Sequence, residues 1–206
     1  MRLRPPLLAL ATLFLGGCVS VLPEPEAVAI YRLPSAPPGP KRAITRDLAV
    51  VLAPPPIASP ALSGDRIALE DAAGRLGYIT GARWDAPAPR VVQEAVLAAF
   101  EASAAGPVAV KPQDGAQADY DLRSDLLAFE AKATSETGPL EVRVILRARL
   151  VDVRRRQLVA ARRFDQRAPA KSRDITALRG AFSEATNAAA RAIADWSEQV
   201  TAAEAR

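Results

Sequence analysis

The sequence predicts an α+β fold: a mostly antiparallel sheet with two amphipathic helices on one of its faces. Several segments alternate apolar and polar residues, which is typical of strands with one buried face. Two other segments repeat apolar residues at spacings of three and four, which is typical of amphipathic helices. The predicted elements follow the chain in the order strands, helix, strands, helix, and this order favours the α+β class.

The strands of the first half are predicted to be short. Residues 28–33 and 48–52 are apolar runs, and three consecutive prolines follow the second run. Residues 65–70 and 76–79 have the pattern of a β-hairpin, because a short turn segment with a glycine lies between them. The sequence therefore predicts at least two strands and a hairpin before the first helix.

The first predicted helix begins at Pro89 and ends near Gly106. A proline fits the first turn of a helix, because the N–H that it lacks has no partner there. One face of this helix is apolar and is expected to pack on the sheet. The residues of that face are Val92, Val96, Ala99 and Phe100.

The second half is predicted to contain a short strand at residues 108–110 and then a meander. Residues 120–129, 141–152 and 157–167 have strand patterns and short connections, which favours antiparallel pairing of neighbours. In the third of these strands, three apolar side chains are expected to point into the core. They are Leu158, Ala160 and Phe164.

The second helix is the clearest element of the sequence. Asp174 is a suitable N-cap, and alanine, the best helix former, fills many of the following positions. The narrow apolar stripe indicates that the helix lies on the sheet with its far side in water, and Trp196 is expected in the core. The stripe consists of Leu178, Phe182, Ala185, Ala189, Ile193, Trp196 and Val200.

Composition excludes several kinds of chemistry. The 206 residues include no histidine, which excludes Ser-His-Asp and Cys-His catalysis and histidine-based zinc sites. The glycines are scattered and form no phosphate loop, and no acidic segment has calcium-ligand spacing. Glu130, Glu136, Glu141 and Asp152 remain available to a carboxylate-dependent hydrolase, but nothing in the sequence pairs them. We expect a protein without catalytic residues, metal or cofactor.

The N-terminus has the layout of a secretory signal: Arg2 and Arg4, an apolar run too short to span a bilayer, and small residues before Cys18. Cys18 is the single cysteine of the chain. The net charge of +4 becomes smaller when the two arginines are removed, so it gives little support for a nucleic-acid partner. The predicted organisation is a signal peptide (1–17), a tether (18–26) and one domain (27–206).

The stretch Leu15-Gly16-Gly17-Cys18 resembles the bacterial lipobox, with a leucine three residues before the cysteine and small residues between. The resemblance implies cleavage between Gly17 and Cys18 and lipidation of Cys18. Several acyl chains give a durable membrane anchor, whereas one chain binds only marginally. The next residue is Val19 rather than an aspartate, which favours the outer membrane, facing the periplasm, over the inner membrane. The alternative is an ordinary signal peptide next to an unrelated cysteine.

Several further pieces of the mature chain form a second recognisable pattern. The order Asp-Arg-Ile, Arg-Trp and then a helix is the most distinctive part. The matching pieces are Tyr31-Arg32-Leu33, Leu62, Asp65-Arg66-Ile67, Tyr78, Ala82-Arg83-Trp84, Pro87, Phe100, Asp119-Tyr120-Asp121-Leu122, Phe129-Glu130, Val142 to Leu150, Arg163-Phe164 and Trp196. Together these pieces resemble the ABC-type transport auxiliary lipoproteins, which accompany lipid transport systems of the MCE type. The resemblance implies a non-catalytic adaptor whose partner is an MCE-type subunit. The alternative is a lipoprotein that binds an acyl chain in its own domain.

Two residue groups are candidate partner contacts. One lies around the predicted hairpin and consists of Asp65, Arg66, Arg83 and Trp84, and the other is a later turn. Asp65 and Arg66 either dock on a transporter subunit or make local hydrogen bonds at the start of a strand. Arg83 and Trp84 either form an exposed contact, for which both residue types are suited, or pack beneath the helix with the arginine over the ring. The second group is the turn Arg154-Arg155-Arg156, for which only Asp152 is a neighbouring acid in the sequence.

The strand arginines also allow two interpretations. They either bind anionic phospholipid headgroups or an acidic partner, or they form a solvated face paired with aspartates of the preceding strand. The aspartates are Asp119, Asp121 and Asp125, and the arginines are Arg143, Arg147, Arg149, Arg162, Arg163 and Arg167. Exposed edge strands would also allow two copies of the chain to pair, so a homo-oligomer is possible.

Overall fold

The computed structural model describes residues 27–34 and 48–206, so the predicted signal peptide, Cys18 and the tether lie outside the described residues. Within these ranges the elements are β1 (Ala29–Tyr31), β2 (Val50–Leu52), β3 (Ile57–Ala58), β4 (Arg66–Glu70), β5 (Leu76–Trp84), α1 (Ala88–Ala102), β6 (Val108–Val110), β7 (Tyr120–Ala133), β8 (Leu140–Asp152), β9 (Gln157–Pro169) and α2 (Ile175–Glu204). The α+β class is confirmed.

The sheet is mixed, which corrects the prediction that it is mostly antiparallel. The hairpin β4–β5 and the meander β7–β8–β9 are antiparallel, as predicted. However, five of the eight pairings between described strands are parallel: β1 with β5, β2 with β6, and β2, β3 and β4 with β7. The long strand β7 receives β2, β3 and β4 one after another along one edge. Hydrophobic periodicity identifies a strand but carries no information about which distant strand pairs with it.

Both helices contribute to one hydrophobic core on one face of the sheet. The helix α2 packs on β8, β9 and α1, and α1 also contacts β6. The predicted alternation in β8 holds, because Val142, Val144 and Leu146 are at most 1% exposed and belong to the core cluster that includes both helices. Trp196 is 7% exposed and in the core, as predicted.

One inward residue of β9 is wrongly predicted. Leu158 is 59% exposed, whereas Phe164 is buried as expected. The pairing of β8 with β9 shifts here: Leu150 faces Ala160, but the next residue, Val151, faces Leu158. A bulge of this kind adds one residue to a strand and reverses the faces beyond it, so Leu158 points away from the helices.

The helix ends follow from their sequences. In α1, Pro89 occupies the first turn. In α2, the carboxylate of Asp174 accepts a hydrogen bond from the backbone N–H of Ala177 at 2.9 Å, which is the predicted N-cap. Neither helix of the described part of the chain has the length and apolarity needed to cross a membrane.

Candidate functional site

The charged residues at the start of the hairpin satisfy each other locally. Arg66 and Arg83 lie directly opposite on β4 and β5. The Arg83 guanidinium turns to the Asp65 carboxylate, at 3.4 Å, and the Arg66 guanidinium lies 3.6 Å from the centre of the Tyr78 ring. Ile67, which directly follows Arg66 in the sequence, is fully buried. These contacts place Asp65, Arg66 and Arg83 together on the surface and hold them in defined positions.

Trp84 is not part of this surface. It is 2% exposed, and its ring centroid lies 5.0 Å from that of Phe182 and 5.8 Å from that of Phe129. Side chains alternate along a strand, so the neighbour of the exposed Arg83 must point into the core. Trp84 therefore packs beneath α2, and Arg83 reaches Asp65 rather than covering the indole ring. The prediction of Trp84 as an exposed contact is wrong.

On the face of the sheet that the helices do not cover, arginines of neighbouring strands form cross-strand pairs. Such pairs of like charges destabilise a sheet unless acids compensate them. The pairs are Arg123–Arg149, Arg147–Arg163 and Arg143–Arg167.

Carboxylates lie between these arginines. Asp125 is 2.9 Å from Arg149 and 3.6 Å from Arg147. Asp165 lies between two arginines of its own strand, 3.1 Å from Arg167 and 3.6 Å from Arg163. The hydrogen bond from Arg167 lowers the pKa of Asp165. The two remaining arginines have acids of their own, with Arg123 beside Asp121 and Arg143 beside Glu70. The face is thus a network of ion pairs, of which the solvent-exposed ones are weak alone.

Glu130 is the buried member of this face. It is 6% exposed and lies opposite Arg143 on β8. Burial raises the pKa of its carboxyl group, and a hydrogen bond from the backbone N–H of Phe129, at 2.9 Å, opposes that change. A carboxylate-dependent hydrolase would need a second carboxylate close to Glu130. Glu70 is near enough to raise the pKa of Glu130 further, but Glu70 itself forms ion pairs with Lys132 and Arg143.

The arginine turn is compensated by acids that sequence distance concealed. Arg154 lies 3.2 Å from Asp119, and Arg155 lies 3.4 Å from Glu204 at the end of α2. Asp152, the acid noted in the sequence, is 3.9 Å from Arg155. Arg156 is exposed, has a positive φ of 55°, and has no ion-pair partner among residues 27–34 and 48–206.

A polar cleft of about 400 Å³ lies beside this turn. Arg154, Arg155 and the acids Asp119 and Glu204 line it together with Tyr120. Burial, reinforced by the nearby acids, raises the pKa of the Tyr120 hydroxyl. The cleft offers charged groups of both signs to a partner.

A second cavity, of about 340 Å³, lies at the junction of α1 and α2 and was not predicted from the sequence. Leu33, Val91 and Ala95 give it an apolar floor, and Arg90 lies at its rim. Thr186 also lines it and is 1% exposed, with no hydrogen-bond partner for its hydroxyl. Only the tertiary packing brings these residues together, so no local motif could have indicated the cavity.

The wall of this cavity is fixed by polar contacts. Ser183 and Asn187 of α2 donate hydrogen bonds to the Pro34 carbonyl at 3.0 Å and 3.3 Å. Arg32 forms a hydrogen-bonded ion pair with Asp85 at 2.6 Å. In the described part of the chain, no three acidic, cysteine or histidine side chains are grouped as metal ligands.

One mixed sheet covered by two helices defines an α+β domain. A family model, described as the ABC-type transport auxiliary lipoprotein component, matches residues 31–194. The chain therefore belongs to this family.

Solved structures share the fold. Protein XCC0632 from Xanthomonas campestris is 24% identical, with a TM-score of 0.76, and the match covers 86% of this chain and 99% of that one. A second, uncharacterized protein is 13% identical, with a TM-score of 0.62 and coverage of 82% and 98%. No curated protein matches the sequence.

Proposed function

We propose that this protein is a non-catalytic, membrane-anchored periplasmic adaptor of an MCE-type lipid transport system. The family match over residues 31–194 is the observation that carries the proposal. The lipobox-like sequence at Cys18 supplies the anchor, and Val19 favours the outer membrane. A tethered domain works at a raised effective concentration, so a small, weak interface is enough to hold a transporter subunit.

The arginine turn is the first surface to test. Arg154 and Arg155 are held by acids, whereas Arg156 projects without an ion partner among the described residues. A planar guanidinium is suited to carboxylates and to phosphate headgroups. A second candidate surface consists of Asp65, Arg66 and Arg83. Trp84 is buried and is not part of it.

The test is recovery of the MCE-type subunit with the full-length lipidated protein from native envelopes. We expect Arg156→Glu to lower the recovery at least tenfold, because it reverses the free charge. Arg191→Glu is the matched control, since Arg191 is exposed on α2. Failure to recover the subunit with the wild-type protein would refute the adaptor role. Equal recovery with both variants would refute the surface. Vesicles with and without anionic phospholipid test whether Arg156 instead binds a headgroup.

The cavity between α1 and α2 supports a second candidate function, an acyl-chain carrier. Its volume of about 340 Å³ lies within the range of ligand pockets, roughly 300–1,000 Å³, and its floor is apolar. Ala95→Phe would fill it, whereas Ala202→Phe places the same ring on an exposed position of α2. Native mass spectrometry should show lipid on the wild type and the control but not on the filled variant. Wild-type protein without lipid would exclude the carrier role.

A further inference from the structure

We propose that β9 is a self-association edge, at which a second copy of this chain adds its own β9 in antiparallel orientation with Phe164 at the two-fold axis. The proposal does not depend on the adaptor role. It assigns an interaction surface and the residue pairing within it. The argument rests on the free edge of β9 and on the order of charges along it.

The strand β9 is an open edge of the described sheet. It has 13 residues and pairs with β8, and no other strand of the described chain lies on its second side. Proteins usually interrupt such edges with bulges or prolines. Here the register with β8 runs without interruption from Ala160 to Pro169, and that proline is the last residue of the strand. The unpaired backbone groups of this stretch can receive another strand.

The side chains of β9 complement themselves when the strand is reversed. On the face away from the helices, Arg163, Asp165 and Arg167 alternate in charge. In an antiparallel pair centred on Phe164, Arg163 of each copy lies opposite Asp165 of the other. The same register places the small Ala160 opposite Ala168, and no like charges face each other. Opposite charges stabilise such cross-strand pairs.

Neighbouring registers are less favourable. A pair centred on Arg163 brings the two copies of that arginine together. A pair centred on Asp165 opposes two aspartates and also places Arg163 opposite Arg167, so like charges disfavour both registers. A pair centred on Gln166 avoids like charges but overlaps only over residues 163–169, compared with 160–168 for the pair centred on Phe164 within the uninterrupted stretch. The latter therefore combines charge complementarity with the longer overlap.

The packing of the rest of the molecule fits this arrangement. The helix α2 covers one face of β8 and β9. A two-fold axis normal to the sheet keeps the helices of both copies on the same side, so the paired sheets continue as one sheet beneath one helical layer. The ion-pair network of the other face then extends across the junction, because Asp165 already accepts a hydrogen bond from Arg167 and forms an ion pair with Arg163 on its own strand.

The test uses the full-length lipidated protein, in the same detergent throughout, with two distinguishable affinity tags. Wild-type copies are expected to capture each other. Arg163→Asp opposes two carboxylates in the proposed register, and Asp165→Arg opposes two guanidinium groups, so each variant alone should lose self-capture at least tenfold. Mixing the two variants makes each pair complementary again and should restore capture. The double variant R163D/D165R should also capture itself.

Restoration by mixing separates pairing from misfolding, because an unfolded variant cannot be rescued by a second defective variant. Arg191→Asp, on the exposed side of α2, serves as the control and should leave capture unchanged. The proposal is overturned if wild-type copies do not capture each other. It is equally overturned if the mixture of R163D with D165R captures no more than either variant alone.

Discussion

Trp84 illustrates how a residue type favoured at interfaces can serve the core. Its indole contacts the rings of Phe129 and Phe182 and is 2% exposed. Trp84→Ala leaves a large cavity and should lower the free energy of unfolding by about 3–5 kcal/mol. Leu158→Ala, at a 59% exposed position, should change it by less than about 0.5 kcal/mol. Urea denaturation measures both, and equal effects would contradict the assignment of Trp84 to the core.

Titration of the single residue Glu130 makes the free energy of unfolding depend on pH. Burial raises the pKa of its carboxyl group in the folded protein. The folded state then binds a proton more readily than the unfolded state, so this residue reduces stability as the pH rises from about 4.3, the ordinary value for glutamate, through the raised value. Glu130→Gln keeps an acceptor for the Phe129 N–H but does not titrate.

As the pH rises from about 4.3 to the raised pKa of Glu130, the free energy of unfolding of the wild type should therefore fall relative to that of Glu130→Gln. Below that interval the difference between the two proteins should be constant. Urea denaturation in steps from pH 3.5 to 8, in buffers of matched ionic strength, measures the difference. A difference that is the same at every pH would show that Glu130 does not titrate with a raised pKa.

At the scale of elements, Gly81 lies at the irregularity in the pairing of β5 with β4. The register of β5 with β4 shifts between Tyr78, which lies opposite Ala68, and Arg83, which lies opposite Arg66, and Gly81 lies within this shift with a φ of 69°. A side chain in this left-handed region costs roughly 1–2 kcal/mol, so Gly81→Ala should destabilise the protein by about that amount. Thermal or urea unfolding gives the value.

Gly77, in the same strand, is the matched control. It has no positive φ, and an added Cβ would meet only the Leu69 carbonyl at an ordinary 3.9 Å. Gly77→Ala should be neutral or slightly stabilising, because alanine reduces the entropy of the unfolded chain. A loss of stability as large as that of Gly81→Ala would show that backbone conformation is not the cause.

The elements show where sequence patterns were sufficient. Alternation identified β8 correctly, and spacing of three and four identified α1 and α2, because each pattern reports one local period and one buried face. The parallel partners of β7 were not predicted, since pairing between distant segments depends on the whole chain. The bulge before Ala160 was also missed, and it reversed the direction of Leu158.

At the scale of the whole molecule, the candidate surfaces were only partly predictable. The sequence identified Arg154 and Arg155 as a charge cluster, but it could not show that Asp119 and Glu204 come from the start of β7 and the end of α2 to neutralise them. The same limit applies to the cavity between α1 and α2. Charge clusters can be found from sequence, whereas their compensation is a property of the tertiary fold.

The anchor is the whole-molecule feature on which the adaptor proposal depends, and two substitutions at the N-terminus test it. Cys18→Ala removes the proposed acceptor of lipid, so the acyl chains that we propose as the membrane anchor should be lost. Val19→Asp should leave lipidation intact, and it replaces the residue from which we infer sorting to the outer membrane. Intact-protein mass spectrometry and density fractionation of envelopes measure the two effects.

We expect the wild-type protein to carry the mass of lipid and to fractionate with the outer membrane. The Cys18→Ala variant should lack that mass and be depleted at least tenfold from the outer-membrane fraction. The Val19→Asp variant should keep the mass and move to the inner-membrane fraction. An unmodified wild-type Cys18 would favour the ordinary signal peptide, whereas a lipidated Val19→Asp variant that stays in the outer membrane would contradict only the sorting role of Val19.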